Sequence, residues 1–98
     1  MKKPPSDQKL LLQKLSRDEA FRLDYLNQAL AHEDQRMILQ ALRNVAKVSG
    51  GMTQLAKSTG FNRQHLYHTL SGKGNPTWVR IEKIFDGLGY PLRAVRDK

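Results

Sequence analysis

The residues best suited to chemistry lie together past the middle of the chain, in a polar run that begins at Arg63. An arginine can donate two hydrogen bonds to the edge of a guanine, and a glutamine can form two with an adenine. Arg63 and Gln64 are adjacent, and Tyr67 and His68 follow one helical turn later. On one face of a helix, these four side chains predict contacts with base edges in the major groove of DNA.

A second set of polar side chains suits the phosphate backbone of DNA rather than the base edges. Hydroxyl, amide and ammonium groups near helix ends are common phosphate ligands. The candidates are Thr53, Gln54, Asn62, Ser71 and Lys73. Asn62 is also expected to cap the helix that follows it, because its side-chain oxygen can accept from amides that the first helical turn leaves free.

Other chemistries find little support in the sequence. His65 and His68 have the spacing of two metal ligands on a helix, but two histidines without a third nearby ligand make a poor zinc site. Gly72 and Lys73 lack the upstream glycine of a nucleotide-binding phosphate loop, because Tyr67 occupies that position. No nucleophile, base and acid form a visible set, and the chain has no cysteine. We therefore predict no enzymatic activity, no metal and no cofactor.

Charge is distributed unevenly along the 98 residues, whose formal net charge is +8. Residues 35–81 contain no Asp or Glu, whereas they include the basic residues Arg36, Arg43, Lys47, Lys57, Arg63, Lys73 and Arg80. A basic segment without acids around a polar helix is typical of a surface that binds phosphate. The alternative is a generally basic soluble domain with no nucleic-acid ligand.

Length and composition predict a single domain with a modest core, since 39% of the residues are hydrophobic. Residues 1–16 are predicted to form a flexible basic arm that is partly helical. Its leucine-rich part, residues 7–15, is either a short helix or an extended segment that covers another surface. The domain itself is expected over residues 17–98. The apolar runs are too short for a signal peptide or a membrane span, which makes the cytoplasm the default location.

Hydrophobic periodicity predicts an all-α fold of about five helices. They cover residues 17–31, with Ser16 and Glu19 as a capping box, then 35–48, 52–59, 63–71 and 78–88. Asp34 and Thr77 are the expected caps of the second and the last of these helices. The predicted inward residues of the second are Met37, Ile38, Ala41, Leu42, Val45 and Val48, and those of the last helix include Trp78 and Phe85. Residues 90–95 alternate loosely and are predicted to form a short strand that pairs with a second copy or a partner.

The segment 53–72 has the spacing of a helix-turn-helix. Ala56 is small enough for two helices to touch, Gly60 suits a tight turn, and Leu66 anchors the second helix on the first. This arrangement predicts that the helix beginning at Arg63 is a DNA recognition helix.

These residues make the segment similar to the phage-repressor-like (Xre-type) helix-turn-helix. The chain more closely resembles the HigA-like antidote proteins of bacterial addiction modules. The shared features are Gly51–Lys57, Leu66–Tyr67 and Gly74–Thr77, with an upstream helix that includes Tyr25–Leu30. The resemblance covers residues 20–95. One feature departs from the phage repressors, where a phosphate-binding glutamine lies three residues before the Leu-Ala pair, because Gln54 directly precedes Leu55–Ala56 here.

The resemblance implies an antitoxin of a type II toxin–antitoxin module, located in the cytoplasm with the nucleoid. Such proteins neutralise a RelE/HigB-like toxin, and as homodimers they bind operator DNA to repress their own operon. Two alternatives stay open at this point. One is a stand-alone phage-type transcriptional regulator, and the other is a toxin-binding module with little specific DNA binding.

Overall fold

Six helices make up the computed structural model of the protein, which describes residues 7–94. They are α1 (Asp7–Arg17), α2 (Glu19–Ala31), α3 (Gln35–Val48), α4 (Gly51–Thr59), α5 (Arg63–Leu70) and α6 (Trp78–Gly87). The prediction of an all-α fold is confirmed, with one helix more than expected because residues 7–17 are helical. Among the described helices, none is long and apolar enough to cross a membrane.

The leucine-rich N-terminal segment is a helix that belongs to the core. Leu15 of α1 is completely buried, and Leu11 and Leu12 pack against the same cluster. α1 packs against α2 and α3. Of the two alternatives for residues 7–15, the structure therefore shows the helix. The rest of the predicted arm, residues 1–6, lies outside the described residues.

The cap of α2 differs from the predicted capping box at Ser16. α1 continues through Ser16 to Arg17, so α2 begins two residues later than expected. Asp18 is the cap instead, and its side chain accepts a hydrogen bond of 3.0 Å from the amide of Phe21. The predicted caps Asp34 and Thr77 are confirmed, because each accepts from an amide in the first turn of its helix.

α3 is the central helix, in contact with α1, α2, α4 and α5. Because it is covered on several sides, its buried arc extends to Leu39 and Ala46, which periodicity did not predict. The arc leaves out Met37, which is 40% exposed, so its assignment to the core is wrong. Val48 is only half-buried at the end of the helix.

The assignment of Trp78 to the core is also wrong, whereas that of Phe85 is confirmed. Phe85 is 1% exposed and Trp78 is 54% exposed. Trp78 is the first residue of α6, and there it lines a surface depression with Leu30 and Pro76 instead of entering the core.

Residues 90–94 are irregular, so the predicted C-terminal strand is wrong over this range, and Val95 lies outside the described residues. The segment is tied to its own chain. The amide of Tyr90 donates to the carbonyl of Phe85 over 2.9 Å, and the Tyr90 hydroxyl accepts from Arg22 Nε over 3.0 Å. Leu92 packs against the core. Intrachain contacts thus replace strand pairing in this region.

Candidate nucleic-acid interface

α4, the turn 60–62 and α5 form a helix-turn-helix-like pair. Leu55 of α4 and Leu66 and Leu70 of α5 are each at most 2% exposed. α5 packs against both α3 and α4 on this apolar side. The short polar α5 thus has a fixed position because one side of it is part of the core.

The turn between the two helices is closed by local hydrogen bonds. Gly60 has a left-handed φ of 75°, which a residue without a side chain adopts at little cost, and its amide donates to the carbonyl of Ala56 over 2.9 Å. The Thr59 hydroxyl donates to the carbonyl of Leu55 over 2.8 Å and accepts from the amide of Phe61 over 3.2 Å. Gly60 thus ends α4 as predicted.

The four predicted base-contacting side chains, Arg63, Gln64, Tyr67 and His68, are all exposed on α5. The guanidinium of Arg63 lies over the ring of Tyr67, with its carbon 5.7 Å from the ring centroid. A Cβ built on Gly74 would lie 3.1 Å from His68 Nε2, so the imidazole is turned toward the loop after α5. Arg63, Gln64 and Tyr67 therefore form one group, and His68 lies at its edge.

The predicted phosphate-contacting residues lie at the ends of the two helices, and all five are exposed. Thr53 and Gln54 are in the first turn of α4. Asn62 is the N-cap of α5 as predicted, with Oδ1 accepting from the amides of Gln64 and His65 over 2.8 and 3.2 Å. Their contact with phosphate stays a prediction.

The other end of α5 is closed by a short network. The Ser71 hydroxyl donates to the carbonyl of His68 over 2.7 Å and accepts from the amide of Lys73 over 3.3 Å. Arg43 of α3 donates from Nη1 to the carbonyl of Leu70 over 2.6 Å. Sequence reasoning counted Arg43 only as a basic residue. No local pattern reveals its role, because its partner lies 27 residues away.

The described residues contain no group of three His, Asp or Glu side chains placed to bind a metal ion. His65 and His68 instead line a polar depression beside α5, together with Thr69, Gly74, Asn75, Pro76 and Arg80. The depression has no acidic side chain, so it offers an anion mainly hydrogen-bond donors and positive charge.

A family model described as "Probable addiction module antidote protein" matches residues 9–96, which include α1 from its third residue and all of α2 to α6. The chain belongs to this family of addiction module antidotes. The antidote is 37% identical over 84 residues to an uncharacterized protein of Haemophilus influenzae, an alignment that covers 86% of the antidote and 84% of the relative. No solved structure matches the antidote.

Membership in this family indicates an antitoxin role and a toxin as the binding partner. The matched range includes α1, which lay outside the resemblance found in the sequence. The family match therefore covers most of this leucine-rich helix. The HigA-like, Xre-type subgroup stays a prediction from the sequence motifs.

Proposed function

We propose that the antidote binds operator DNA as a homodimer, represses its own operon and neutralises a RelE/HigB-like toxin. The observation that best supports DNA binding is the exposed side of α5. Neither the Arg63 guanidinium nor the Gln64 carboxamide forms a hydrogen bond within the described residues. Both are thus available to base edges, on a helix whose other side is buried.

The charge around α5 supports the same proposal. No acid occurs between Asp34 and Glu82, so the whole helix pair belongs to an acid-free segment. Thr53 and Gln54 in the first turn of α4, and Lys73 after α5, are exposed, and we assign them to the phosphates next to the groove. Phosphate contacts orient the protein, and the α5 side chains then select the sequence.

Homodimer formation sets the expected form of the operator. Two α5 helices related by a two-fold axis would enter successive major grooves about 34 Å apart. The operator should therefore be an inverted repeat whose half-sites are about one helical turn apart.

Fluorescence anisotropy with the DNA upstream of the antidote's operon, and with a shuffled duplex of equal composition, tests DNA binding. Arg63→Ala should lower operator affinity by about 1–3 kcal/mol and relax one base preference. Lys73→Ala should lower the affinity for both duplexes alike. It should also reduce the slope of the logarithm of affinity against the logarithm of salt concentration by about one, as expected for the loss of one phosphate contact. Arg17→Ala on α1, which packs against α2 and α3, is the matched control and should bind as the wild type does.

Equal affinity of the wild type for operator and shuffled DNA would contradict sequence-specific binding. If Arg63→Ala and Lys73→Ala each lower the affinity for operator and shuffled DNA by the same amount, the assignment of Arg63 as a base contact is wrong, although DNA binding stands.

Co-expression with the adjacent gene tests the proposed neutralisation of a toxin. The wild-type antidote should restore growth, and so should the Arg63→Ala/Gln64→Ala variant, because toxin binding does not require base contacts. Operator binding without rescue would favour the stand-alone regulator. Rescue without specific DNA binding would favour the toxin-binding module.

A further inference from the structure

A polar depression of about 280 Å³ flanks α5 and has no place in the function proposed above. α5 contributes His65, His68 and Thr69 to its wall, the following loop contributes Gly74, Asn75 and Pro76, and α6 contributes Arg80. None of these residues belongs to α4. The depression therefore lies beside α5 where the following loop and α6 form its other walls.

Arg80 is the fixed positive charge of the depression. It is half-buried, and its guanidinium carbon lies 4.5 Å from the centroid of the Phe61 ring. Stacking on a ring holds the guanidinium plane and leaves its N–H donors free. Within residues 7–94 the guanidinium forms no ion pair and no hydrogen bond. A cation in the first turn of a helix is also disfavoured by the helix dipole, so the position of Arg80 is not explained by the charge preference of α6.

Other polar side chains line the same depression as Arg80. The imidazole of His68 lies against Gly74, where an added Cβ would be 3.1 Å from Nε2. His65 and Asn75 line the same depression. An imidazole supplies an N–H donor in every protonation state, and a carboxamide supplies two. A guanidinium with such donors, and without a carboxylate, suits the oxygens of a phosphate group.

The geometry of a DNA groove indicates the source of that phosphate. The major groove is about 12 Å wide, and an α-helix with its side chains is about 10–12 Å across. A helix that enters the groove therefore lies between two phosphate backbones. α4 packs against α5, and the depression is lined by α5, the following loop and α6 but by no residue of α4.

We propose that the depression binds one phosphate of the DNA backbone, with Arg80 as the charged ligand and with His65, His68 and Asn75 as hydrogen-bond donors. The proposal rests on the DNA binding proposed above. It moves His68 from the base-contacting set to the phosphate-contacting set.

The first test compares Arg80→Gln with Arg17→Gln, which removes the same charge from α1. Arg80→Gln should weaken operator and shuffled DNA equally, by about tenfold, because a hydrogen bond to a charged group is lost. The slope of the logarithm of affinity against the logarithm of salt concentration should fall by about one. Arg17→Gln should change neither quantity.

Thermal unfolding shows whether each variant is folded. Arg80→Met is a second variant that removes the charge, and its unbranched side chain keeps the contact with Phe61.

The second test locates the phosphate. Single phosphates of the operator are replaced in turn by neutral methylphosphonates, and binding is measured with the wild type and with Arg80→Gln. One replacement on each half-site should lower the affinity of the wild type by about as much as the Arg80→Gln substitution lowers it. The same replacement should not lower the affinity of the Arg80→Gln variant further. This lack of additivity would assign that phosphate to Arg80.

Three outcomes overturn the proposal. If Arg80→Gln binds DNA with wild-type affinity while Lys73→Ala binds it more weakly, the depression does not bind the DNA backbone, although DNA binding stands. If a 5′-mononucleotide or inorganic phosphate shifts the His65 and His68 NMR signals in an Arg80-dependent way, and operator affinity does not depend on Arg80, the ligand is a free phosphate. If the wild type binds no DNA at all, both proposals fail.

Discussion

Asn62 illustrates how one side chain can serve both the fold and the proposed ligand. Its Oδ1 accepts from two amides at the start of α5, while the residue itself stays exposed. The carboxamide NH₂ has no partner within residues 7–94 and remains available to a phosphate oxygen. The cap role follows from the sequence pattern and is confirmed, whereas the phosphate role is a prediction that needs its own test.

Asn62→Asp separates the two roles, because aspartate caps a helix as well as asparagine does. The free energy of unfolding should stay within a few tenths of a kcal/mol of the wild-type value, while affinity for operator and shuffled DNA falls, because a negative charge faces the backbone. Urea unfolding and anisotropy measure the two quantities. Asn62→Ala is the matched comparison and should lose about 1 kcal/mol of stability. Unchanged DNA affinity for Asn62→Asp would exclude Asn62 from the phosphate set.

At this scale the sequence predicts three caps, Asp34, Asn62 and Thr77, and the exposed polar residues of α5, because both depend on local hydrogen bonds and on spacing, whereas Asp18 takes the place of the predicted cap Ser16. It fails for Trp78 and Met37, which are apolar residues at the edge of a buried stripe. Their exposure depends on where a neighbouring helix ends, and periodicity carries no information about that. The Arg43 contact with Leu70 was missed for the same reason, since it joins two different helices.

At the scale of elements, the close approach of α4 and α6 explains the glycine at the end of α6. Gly87 is the last residue of α6, and a Cβ there would lie 2.5 Å from Thr59 Cγ2 and 3.2 Å from Ser58 Oγ. The absence of a side chain thus allows α6 to touch the end of α4. Sequence reasoning treated Gly87 only as part of the last helix.

Gly87→Ala should destabilise the fold by about 1–3 kcal/mol through the clash with Thr59. Helix propensity alone predicts the opposite sign, a gain of about 0.5–1 kcal/mol. Thr59→Ser removes the clashing methyl group and keeps the hydroxyl that bonds to Leu55 and Phe61. The double variant should therefore recover most of the loss in urea unfolding. Additive losses in Gly87→Ala and Thr59→Ser would show that the clash is not the cause.

A buried polar network joins the first three helices. The Asn44 side chain of α3 is 1% exposed, accepts from Gln8 Nε2 over 2.9 Å and donates to the Tyr25 hydroxyl over 2.9 Å. The network connects α3 with both α1 and α2. It supports the description of α1 as part of the folded unit, since Gln8 belongs to that helix.

Tyr25→Phe removes the acceptor of the Asn44 amide and should cost about 1–3 kcal/mol, because a buried donor loses its partner. Tyr67→Phe is the matched control, since Tyr67 is 53% exposed and its hydroxyl has no intramolecular partner in the described residues. It should change stability by less than about 0.5 kcal/mol. Denaturant unfolding compares the two, and equal small effects would show that water replaces the lost hydrogen bond.

At the scale of the whole molecule, the proposed homodimer makes the spacing of half-sites a prediction. Inserting about five base pairs between the half-sites rotates one by about half a turn, so the two α5 helices can no longer reach both. Operator affinity should fall to that of an isolated half-site. Inserting about ten base pairs should restore the rotational alignment of the two half-sites but not the distance between them. Anisotropy on the three duplexes provides the measurement. Equal binding to all three would indicate that each subunit binds alone.

The all-α fold class, the order of α2 to α6 and the pairing of α4 with α5 follow from the sequence, because they depend on periodicity, caps and the turn at Gly60. The irregular course of residues 90–94 does not, because the contacts of Tyr90 with Arg22 and Phe85 are tertiary. The polar depression was missed as well. Its walls come from α5, a loop and α6, and only folding brings His65 and Arg80 together.

The side chains that hold α5 in place and the two at its start that are proposed to contact bases are different sets. Leu66, Leu70, Asn62 and Arg43 fix the helix, whereas Arg63 and Gln64 contribute no buried contact. In a genome that encodes several such modules, this separation has an evolutionary consequence. If α5 reads operator bases as proposed, substitutions at positions 63 and 64 would change the preferred operator without a loss of folding stability, and duplicated modules would then cease to repress one another through changes at these two positions.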